Sequence, residues 1–201
     1  MEFNYDSDLT GGSLMVRESR IIADLLLRKV SPDEWVELIQ SENVLQKRSP
    51  ASARRNAQAI RKRLERLEPP FWRALRDGDE ELAVQVAFCA ALERNLLLVE
   101  FMEVVVRDAF ATHSESLAYY LWDDFLDERS QRDHRISTWT DSSRKKMGQV
   151  GFRMLAEVGM FNNSRDCRLQ KLIVRPEIRE LLSNSGRDRI KACLTFGSTA
   201  Q

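Results

Sequence analysis

The residues of this sequence that could do chemistry are mostly basic, and they are concentrated in residues 47–66. Eight Lys and Arg residues against the single Glu65 give this stretch a net charge of plus seven, although the whole chain has a net charge of zero. An ordinary exposed helix mixes both signs, because opposite charges one turn apart add stability. Segregated positive charge instead favours contact with phosphate groups.

A helix must position these charges, and it is predicted to begin at Pro50, because Ser49 can cap its first turn and proline tolerates the first helical position. Small and aliphatic residues recur every three or four positions and form a buried stripe. The stripe comprises Ala53, Ala57, Ile60, Leu64 and Leu67. The expected DNA contacts in and beside this helix are Lys47, Arg48, Arg54, Arg55, Gln58, Arg61 and Lys62. The cations would contact phosphates, and Gln58 would reach base edges.

A second helix is predicted just upstream, where Ser31 and Glu34 can form a capping box. Its buried face is expected to comprise Trp35, Val36, Leu38 and Ile39. A short helix, a turn and a longer basic helix are the outline of a helix-turn-helix, whose second helix enters the major groove. A basic surface on an ordinary helical bundle is the alternative interpretation.

The second half of the chain repeats this outline. An acidic helix near Trp122 is followed by a loop and by a new helix start at 141–143. The buried stripe of that new helix would be Met147, Val150, Met154 and Val158. Its candidate DNA contacts are Arg144, Lys145, Lys146 and Gln149. Residues 167–174 have the β-branched alternation of a short strand, which would be the wing of a winged unit.

The predicted fold is therefore all-α and globular, with two helix-turn-helix-like halves, residues 1–115 and 116–201. The first half ends in an acidic helical hairpin, in which residues 82–92 are apolar nearly all round. Its second helix should bury Leu97, Phe101, Val104, Val105 and Ala109. Residues 1–12 are polar and end in two glycines, which indicates a flexible arm or loop.

Catalysis has little support in the sequence, because no glycine-rich phosphate loop, zinc-binding His pair or nucleophile elbow is present. An acidic group near residue 125 could bind a divalent cation, since carboxylates at i, i+3 and i+4 share a helix face. The group comprises Asp123, Asp124, Asp127 and Glu128. A solvated first turn favoured by the helix dipole is the simpler explanation. The prediction is a protein with no catalytic residue, no metal and no cofactor.

The composition is that of an ordinary globular protein, with 43% hydrophobic and 31% charged residues. The start of the sequence lacks the basic and apolar regions of a signal peptide, and the longest apolar stretches are interrupted by polar residues. Three cysteines without paired spacing suggest neither disulfides nor a zinc site. We therefore expect a cytoplasmic protein without a membrane partner.

Motifs spread over nearly the whole chain resemble those of the BrxA family of BREX bacteriophage-defence systems. In the first half they are Leu9-Thr10-Gly11-Gly12, Glu18-Ser19-Arg20, Val44-Leu45-Gln46-Lys47-Arg48-Ser49 and Arg54-Arg55. In the second half they are Trp122-Asp123-Asp124-Phe125-Leu126-Asp127, then Trp139 with Ser143, Lys146, Gly148 and Gln149, and Leu155-Ala156-Glu157-Val158-Gly159. It is the combination of these motifs that is specific.

The resemblance implies a small, all-helical, non-enzymatic core component of a BREX island, with helix-turn-helix-like units and affinity for double-stranded DNA. Its partners there would be other BREX components, namely a DNA methyltransferase, an ATPase and an alkaline-phosphatase-like protein. Three alternatives stay open from the residues alone: an assembly adaptor whose basic faces dock acidic proteins, an RNA-binding helical bundle, and a metal-dependent nuclease.

Overall fold

The computed structural model describes Tyr5 and residues 8–196. Every regular secondary-structure element in that part of the chain is a helix, so the predicted all-α class is confirmed. The chain forms two compact units, one of which is Leu14–Arg94. The other comprises the chain from Asn95 onwards together with the N-terminal segment that ends at Ser13. The predicted division of the chain at residue 115 was based on the two basic helices, and it stays a prediction.

The Leu14–Arg94 unit consists of five α-helices and one π-helical turn. The helices are α1 (Val16–Arg28), α2 (Pro32–Val36), α3 (Pro50–Leu64), α4 (Pro69–Asp77) and α5 (Glu80–Arg94), and the π-helical turn Glu37–Ser41 directly follows α2. Both predicted caps of this unit are present. The Ser31 side chain accepts a hydrogen bond from the backbone N–H of Glu34 at 3.2 Å, and Ser49 accepts one from Ser52 at 3.2 Å.

The core of this unit lies where the predicted stripe of α3 meets its neighbours. All five stripe residues are at most 3% exposed, so the predicted face is confirmed. Helix α3 packs on α1, on α5 and on the π-helical turn. Helix α5 is buried nearly all round from Leu82 to Leu92, also as predicted.

The predicted buried face of the upstream helix is wrong in part. Ile39 is buried, but Trp35 and Leu38 are only half-buried and Val36 is 49% exposed. The reason is the π-helical turn, in which Glu42 donates its N–H to the Glu37 carbonyl at 2.9 Å. A π turn holds more residues than an α turn, so an apolar stripe with a period of 3.6 does not continue through it.

The described part of the other unit is built from six α-helices and shorter helical turns. The α-helices are α6 (Leu96–Phe101), α7 (Arg107–Ala111), α8 (Tyr120–Ser130), α9 (Asp141–Glu157), α10 (Pro176–Asn184) and α11 (Asp188–Leu194). The turns are the 3-10 turns Asp8–Gly11 and His134–Thr138 and the π-helical turn Met102–Val106. Helix α9 begins where predicted, with Thr140 as its cap, and its four stripe residues are at most 5% exposed. This stripe is therefore confirmed.

The second π-helical turn has the same effect on the predicted faces as the first. Leu97, Phe101 and Ala109 are buried as predicted, but Val104 is 41% exposed and Val105 is half-buried. Val106 takes the inward position instead. The inserted π turn shifts the inward-facing residue along the chain.

The predicted strand and wing over residues 167–174 are wrong. Among the described residues this segment forms only isolated antiparallel bridges, Ser116 with Arg168 and Phe161 with Leu169. Beyond Leu169 the side chains do alternate, with Leu172 and Val174 buried and Ile173 between them exposed. The period of two is present, but no neighbouring strand pairs with it, and Pro176 starts α10.

The predicted flexible arm at the N-terminus also needs a correction where it can be checked. Leu9 is 2% exposed and Tyr5 is 3% exposed. The Tyr5 hydroxyl donates to Glu100 at 2.8 Å, and Glu100 accepts from the buried Arg129 at 2.5 Å. Burial, followed by the hydrogen bond to Glu100, raises the pKa of Tyr5 to about 12. The other positions at the start of the arm, residues 1–4 and 6–7, lie outside the described residues.

No single helix in residues 8–196 has the length and apolar character that a membrane span requires.

Candidate nucleic-acid interface

The solvent face of α3 is the first of two candidate surfaces. Arg54, Arg55 and Gln58 are exposed, opposite the buried stripe, as predicted. Neither arginine has a hydrogen-bond or ion-pair partner among the described residues. Arg48, just before the helix, is exposed as well. These groups are therefore available to an external anion without first giving up an internal partner.

A shallow groove of about 420 Å³ runs between this face and the preceding helical segment. It is lined by Trp35, Val36, Gln40, Arg54, Gln58, Arg61, Lys62 and Glu65. The Arg61 guanidinium lies 4.7 Å from the centre of the Trp35 ring and pairs with Glu65 at 2.6 Å. A cation–π contact and an ion pair together restrict the orientation of Arg61. Arg61 is thus presented in a defined position, and Lys62 is exposed next to it.

Lys47 has a structural role in addition to any external one. Its ammonium pairs with Glu18 on α1 at 2.6 Å, and the two side chains are only 23% and 12% exposed. Burial is the largest single influence on the pKa of Glu18 and acts to raise it. The hydrogen bond from Lys47, a backbone hydrogen bond and the charges of Lys47 and Arg17 together outweigh burial, so the pKa of Glu18 is lowered overall. This pair fastens the chain before α3 to α1.

The rest of the loop before α3 is held in place by further contacts. The Asn43 side chain bonds both the backbone N–H and the carbonyl of Lys47, at 2.9 and 2.8 Å. Arg17 donates to the Leu45 carbonyl at 2.9 Å, and the Leu45 side chain is fully buried. The connection is longer than the usual turn of a helix-turn-helix, but it is pinned at several points. It can therefore hold α3 rigidly.

The exposed side of α9 is the second candidate surface. Lys145, Lys146 and Gln149 are exposed on it. Arg144 is different, because it pairs with Asp127 of α8 and its side chain is 20% exposed. Its guanidinium also donates to the Asp123 carbonyl at 3.3 Å. Arg144 thus links α9 to α8.

Helix α9 lies unusually close to α8 at Gly148. A Cβ atom at that position would lie 2.7 Å from Cδ1 of Trp122, which is closer than real contacts allow. The Trp122 indole N–H donates to the Arg144 carbonyl at 3.1 Å. Of the two reasons that a mid-helix glycine could have here, close packing and close approach to a phosphate backbone, the structure accounts for the first.

Each set of predicted residues comes together within one unit. The seven from Lys47 to Lys62 lie in the Leu14–Arg94 unit, and the four from Arg144 to Gln149 lie in the other. Tyr119 and Tyr120, two exposed aromatic residues beside α9, were not among the residues predicted from the sequence. Two adjacent aromatics at a helix start cannot both face the core, and that was the available signal.

The acidic residues of α8 do not form a recognisable metal site. No group of three or more His, Cys, Asp or Glu side chains in the described part of the chain is placed to hold an ion. Asp127 pairs with Arg144, and Glu128 pairs with Arg129 at 2.9 Å. Two of the four carboxylates of α8, Asp127 and Glu128, thus act as internal ion-pair partners, and Asp123 and Asp124 are exposed.

Fold and surface together define a class: an all-α protein that presents two exposed basic helices on separate compact units. Comparison with known proteins gives the family. The family model BrxA matches residues 3–186. The chain is 38% identical over 193 residues to the BREX protein BrxA of Paramagnetospirillum magneticum, covering 96% of this chain and 97% of that protein. It is 34% identical to the BREX protein BrxA of Escherichia coli O9:H4, covering 93% and 88% respectively.

A solved structure agrees with these relatives. The crystal structure of an uncharacterized protein from Magnetospirillum magneticum matches with a TM-score of 0.88 and 36% identity, covering 96% of this chain and 98% of that one. The chain belongs to the BrxA family of BREX phage-defence proteins. The resemblance drawn from the sequence motifs is confirmed.

Proposed function

We propose that the protein is a non-enzymatic component of a BREX system that binds double-stranded DNA through α3 and α9. The observation that carries the proposal is the face of α3. Arg54 and Arg55 are exposed and unpaired among the described residues, while the opposite stripe is fully buried. A rigidly mounted helix with unpaired cations on one side suits the phosphate backbone, which supplies much of the affinity of DNA-binding proteins.

The arrangement before α3 supports a helix-turn-helix-like mode of docking. Helix α2 with its π-helical turn precedes a pinned loop, and the longer basic helix follows. In this mode α3 would enter the major groove, where Gln58 would reach base edges and the arginines would contact phosphates. Lys145, Lys146 and Gln149 would make the equivalent contacts from α9. The basic stretch of residues 47–66 contains no aromatic residue interleaved with its cations, which favours duplex over single-stranded nucleic acid.

A second candidate function, an assembly adaptor that binds other BREX components, is favoured by one observation. Val36 is 49% exposed next to the half-buried Trp35, in the groove that α3 lines. Apolar and aromatic groups beside arginine are typical of protein interfaces. Both functions would place the protein in the cytoplasm, with the DNA and the BREX partners. An adaptor would bind such a partner at high salt and show no DNA binding even at low salt.

The test compares three labelled ligands of equal length: duplex DNA, single-stranded DNA and RNA. We expect the parent protein to bind duplex most tightly at low salt. Lys145→Ala/Lys146→Ala should weaken duplex binding, because two basic helices on one chain raise the effective concentration of the second contact. Lys171→Ala/Arg179→Ala removes the same charge at two other exposed positions and is the control. A parent that prefers RNA, or a Lys145/Lys146 variant that binds duplex like the parent, would contradict the proposal for α9.

A further inference from the structure

A cavity of about 950 Å³ lies between α8, α9 and the loop near residue 165. Its volume lies in the range of small-molecule sites. All of its lining residues belong to one compact unit. The cavity is mixed in character, with aromatic rings on one side and charged groups of both signs around them.

The aromatic side of this cavity is partly fixed in advance. The Tyr119 ring stacks on Phe152 with 4.3 Å between ring centres and 15° between planes, and its hydroxyl donates to the Ser164 carbonyl at 2.8 Å. Tyr120 is 63% exposed, and its ring borders the same cavity. Tyr119 is already held by these two contacts, so a planar ligand that packs on this side of the cavity does not have to immobilise its ring.

Among the charged side chains that line the cavity, two pair with each other and four remain for a ligand. Arg144 and Asp127 pair with each other. The remaining lining charges are Asp123 and Asp141, which are acidic, and Lys145 and Arg165, which are basic. Lys145 and Arg165 would oppose a simple cation, and the two carboxylates would oppose a simple anion. A ligand must therefore present hydrogen-bond donors to the carboxylates and negative charge to the cations.

We propose that this cavity binds one unpaired nucleotide whose base carries an exocyclic amino group. The base stacks on Tyr120 and donates its amino group to Asp123 or Asp141, as carboxylates accept from cytosine. The phosphate contacts Lys145 and Arg165. Gln149 borders the cavity and adds an amide that can bond the base edge. Cytosine, adenine and guanine fit this pattern, and thymine does not, because it lacks the amino group.

The nucleotide can be free or can belong to an unpaired part of a DNA strand, and the two sources share this chemistry. The second case rests on the proposed function, because a duplex on α9 would bring a frayed or overhanging nucleotide to the cavity. An α9 surface for the duplex and a cavity for the unpaired base would together favour DNA ends or distorted sites.

The test titrates the full chain with dCMP, dAMP, dGMP and dTMP by calorimetry. In parallel, anisotropy measures a blunt duplex and the same duplex with a short cytosine or thymine extension. We expect binding of the amino-bearing nucleotides, of the cytosine extension, or of both, at least about tenfold tighter than of the thymine counterpart. Binding of a mononucleotide means that the cavity takes a free nucleotide. Higher affinity for the extended duplex, without mononucleotide binding, means that the bound nucleotide belongs to a DNA strand.

Substitutions of Tyr120 test whether stacking of the base contributes to the affinity. Tyr120→Ala should lose about tenfold in affinity for the mononucleotide or for the extension, while Tyr120→Phe keeps the ring and should stay close to the parent. Ile173→Ala truncates another highly exposed apolar side chain of the same unit, outside the cavity, and is the control. Circular dichroism checks that each variant is folded.

The outcomes distinguish this proposal from the proposed function. If blunt duplex binds but no mononucleotide binds and neither extension adds affinity, the nucleotide site is wrong and duplex binding stands. If mononucleotides bind but blunt duplex does not, the site stands and the duplex function is wrong. Equal affinity for the thymine and cytosine ligands, or a Tyr120→Ala variant that binds like the parent, overturns the proposed site.

Discussion

Single residues decide how closely α8 and α9 can approach. Gly148 and Gly151 both lie in the middle of α9, where glycine ordinarily costs stability relative to alanine. Gly148 faces the Trp122 ring at a distance that excludes a methyl group, whereas a Cβ at Gly151 would meet Leu9 and Leu98 at an ordinary 3.8 Å. The two glycines therefore have different reasons to be there.

Replacing each glycine by alanine tests this difference. Gly148→Ala should destabilise the fold by about 1 to 3 kcal/mol, because the new methyl group overpacks the contact with Trp122. Gly151→Ala is the matched control, which should be neutral or stabilise by roughly 0.5 to 1 kcal/mol. Urea unfolding measures both. Equal effects of the two substitutions would contradict the packing described for Gly148.

A second residue-scale prediction concerns Asp133, which is 7% exposed. The hydrogen bonds from the Arg135 side chain, at 2.9 and 2.8 Å, are the main cause that lowers the pKa of Asp133 to about 2. An unfolded aspartate has a pKa of about 3.9. Since the folded pKa is the lower one, the stabilisation is complete above about pH 4 and is lost as the pH falls through about 2.

Asp133→Asn should accordingly lower the free energy of unfolding at pH 7, and its difference from the parent should shrink as the pH approaches 2. Urea unfolding at several pH values measures this. Asp124→Asn removes an exposed carboxylate of the same unit and is the control. A difference for Asp133→Asn that stays constant from pH 7 to pH 2 would be inconsistent with the ionised pair.

Along α3 the exposure of residues was predictable from the sequence, but their partners were not. The 3.6-residue period places Arg54, Arg55 and Gln58 on the solvent side, and the structure agrees. Lys47 and Arg144 were predicted as DNA contacts, and their internal ion pairs were not foreseen. Their partners, Glu18 and Asp127, lie 29 and 17 residues away, and such ion pairs depend on tertiary packing that no local pattern encodes.

At the scale of elements, the buried stripe of α3 determines how its basic side is presented. Ala57 is fully buried where α3 packs on its neighbours. Ala57→Leu should overpack this contact and destabilise the fold by about 1 to 3 kcal/mol. Ala51→Leu makes the same change at an exposed position one turn and a half earlier on the helix, and should have little effect. Thermal unfolding compares the two; an unchanged melting temperature for Ala57→Leu would mean that the stripe does not carry the packing.

Elements were predictable where local chemistry specifies them. Serine caps followed by proline fix the starts of α2 and α3, because both signals act within one turn. The π-helical turns at Glu37–Ser41 and Met102–Val106 were not predictable, since tertiary packing rather than a residue type selects them. They explain why Val36 and Val104 are exposed. The predicted wing failed for a related reason, because a strand needs a partner that the sequence of residues 167–174 does not supply.

At the scale of the whole molecule, the two basic helices belong to different compact units of one chain. If α3 and α9 both contact DNA, the affinity of the protein for duplex DNA depends on each of the two helices. The chain as a whole is electrically neutral, so binding driven by phosphates must come from the local segregation of charge rather than from net charge. Contacts between these clustered cations and DNA phosphates make the affinity fall as the salt concentration rises.

The most direct measurement is the salt dependence of duplex binding for Arg54→Ala/Arg55→Ala. Each phosphate contact contributes about 0.9 to the slope of log affinity against log salt. The double variant should keep its fold, bind all duplex sequences more weakly, and lose about two from the slope. Arg73→Ala/Arg179→Ala removes two exposed arginines from other helices and should keep the parental slope. Parental affinity together with a parental slope in Arg54→Ala/Arg55→Ala would contradict the claim that α3 contacts DNA.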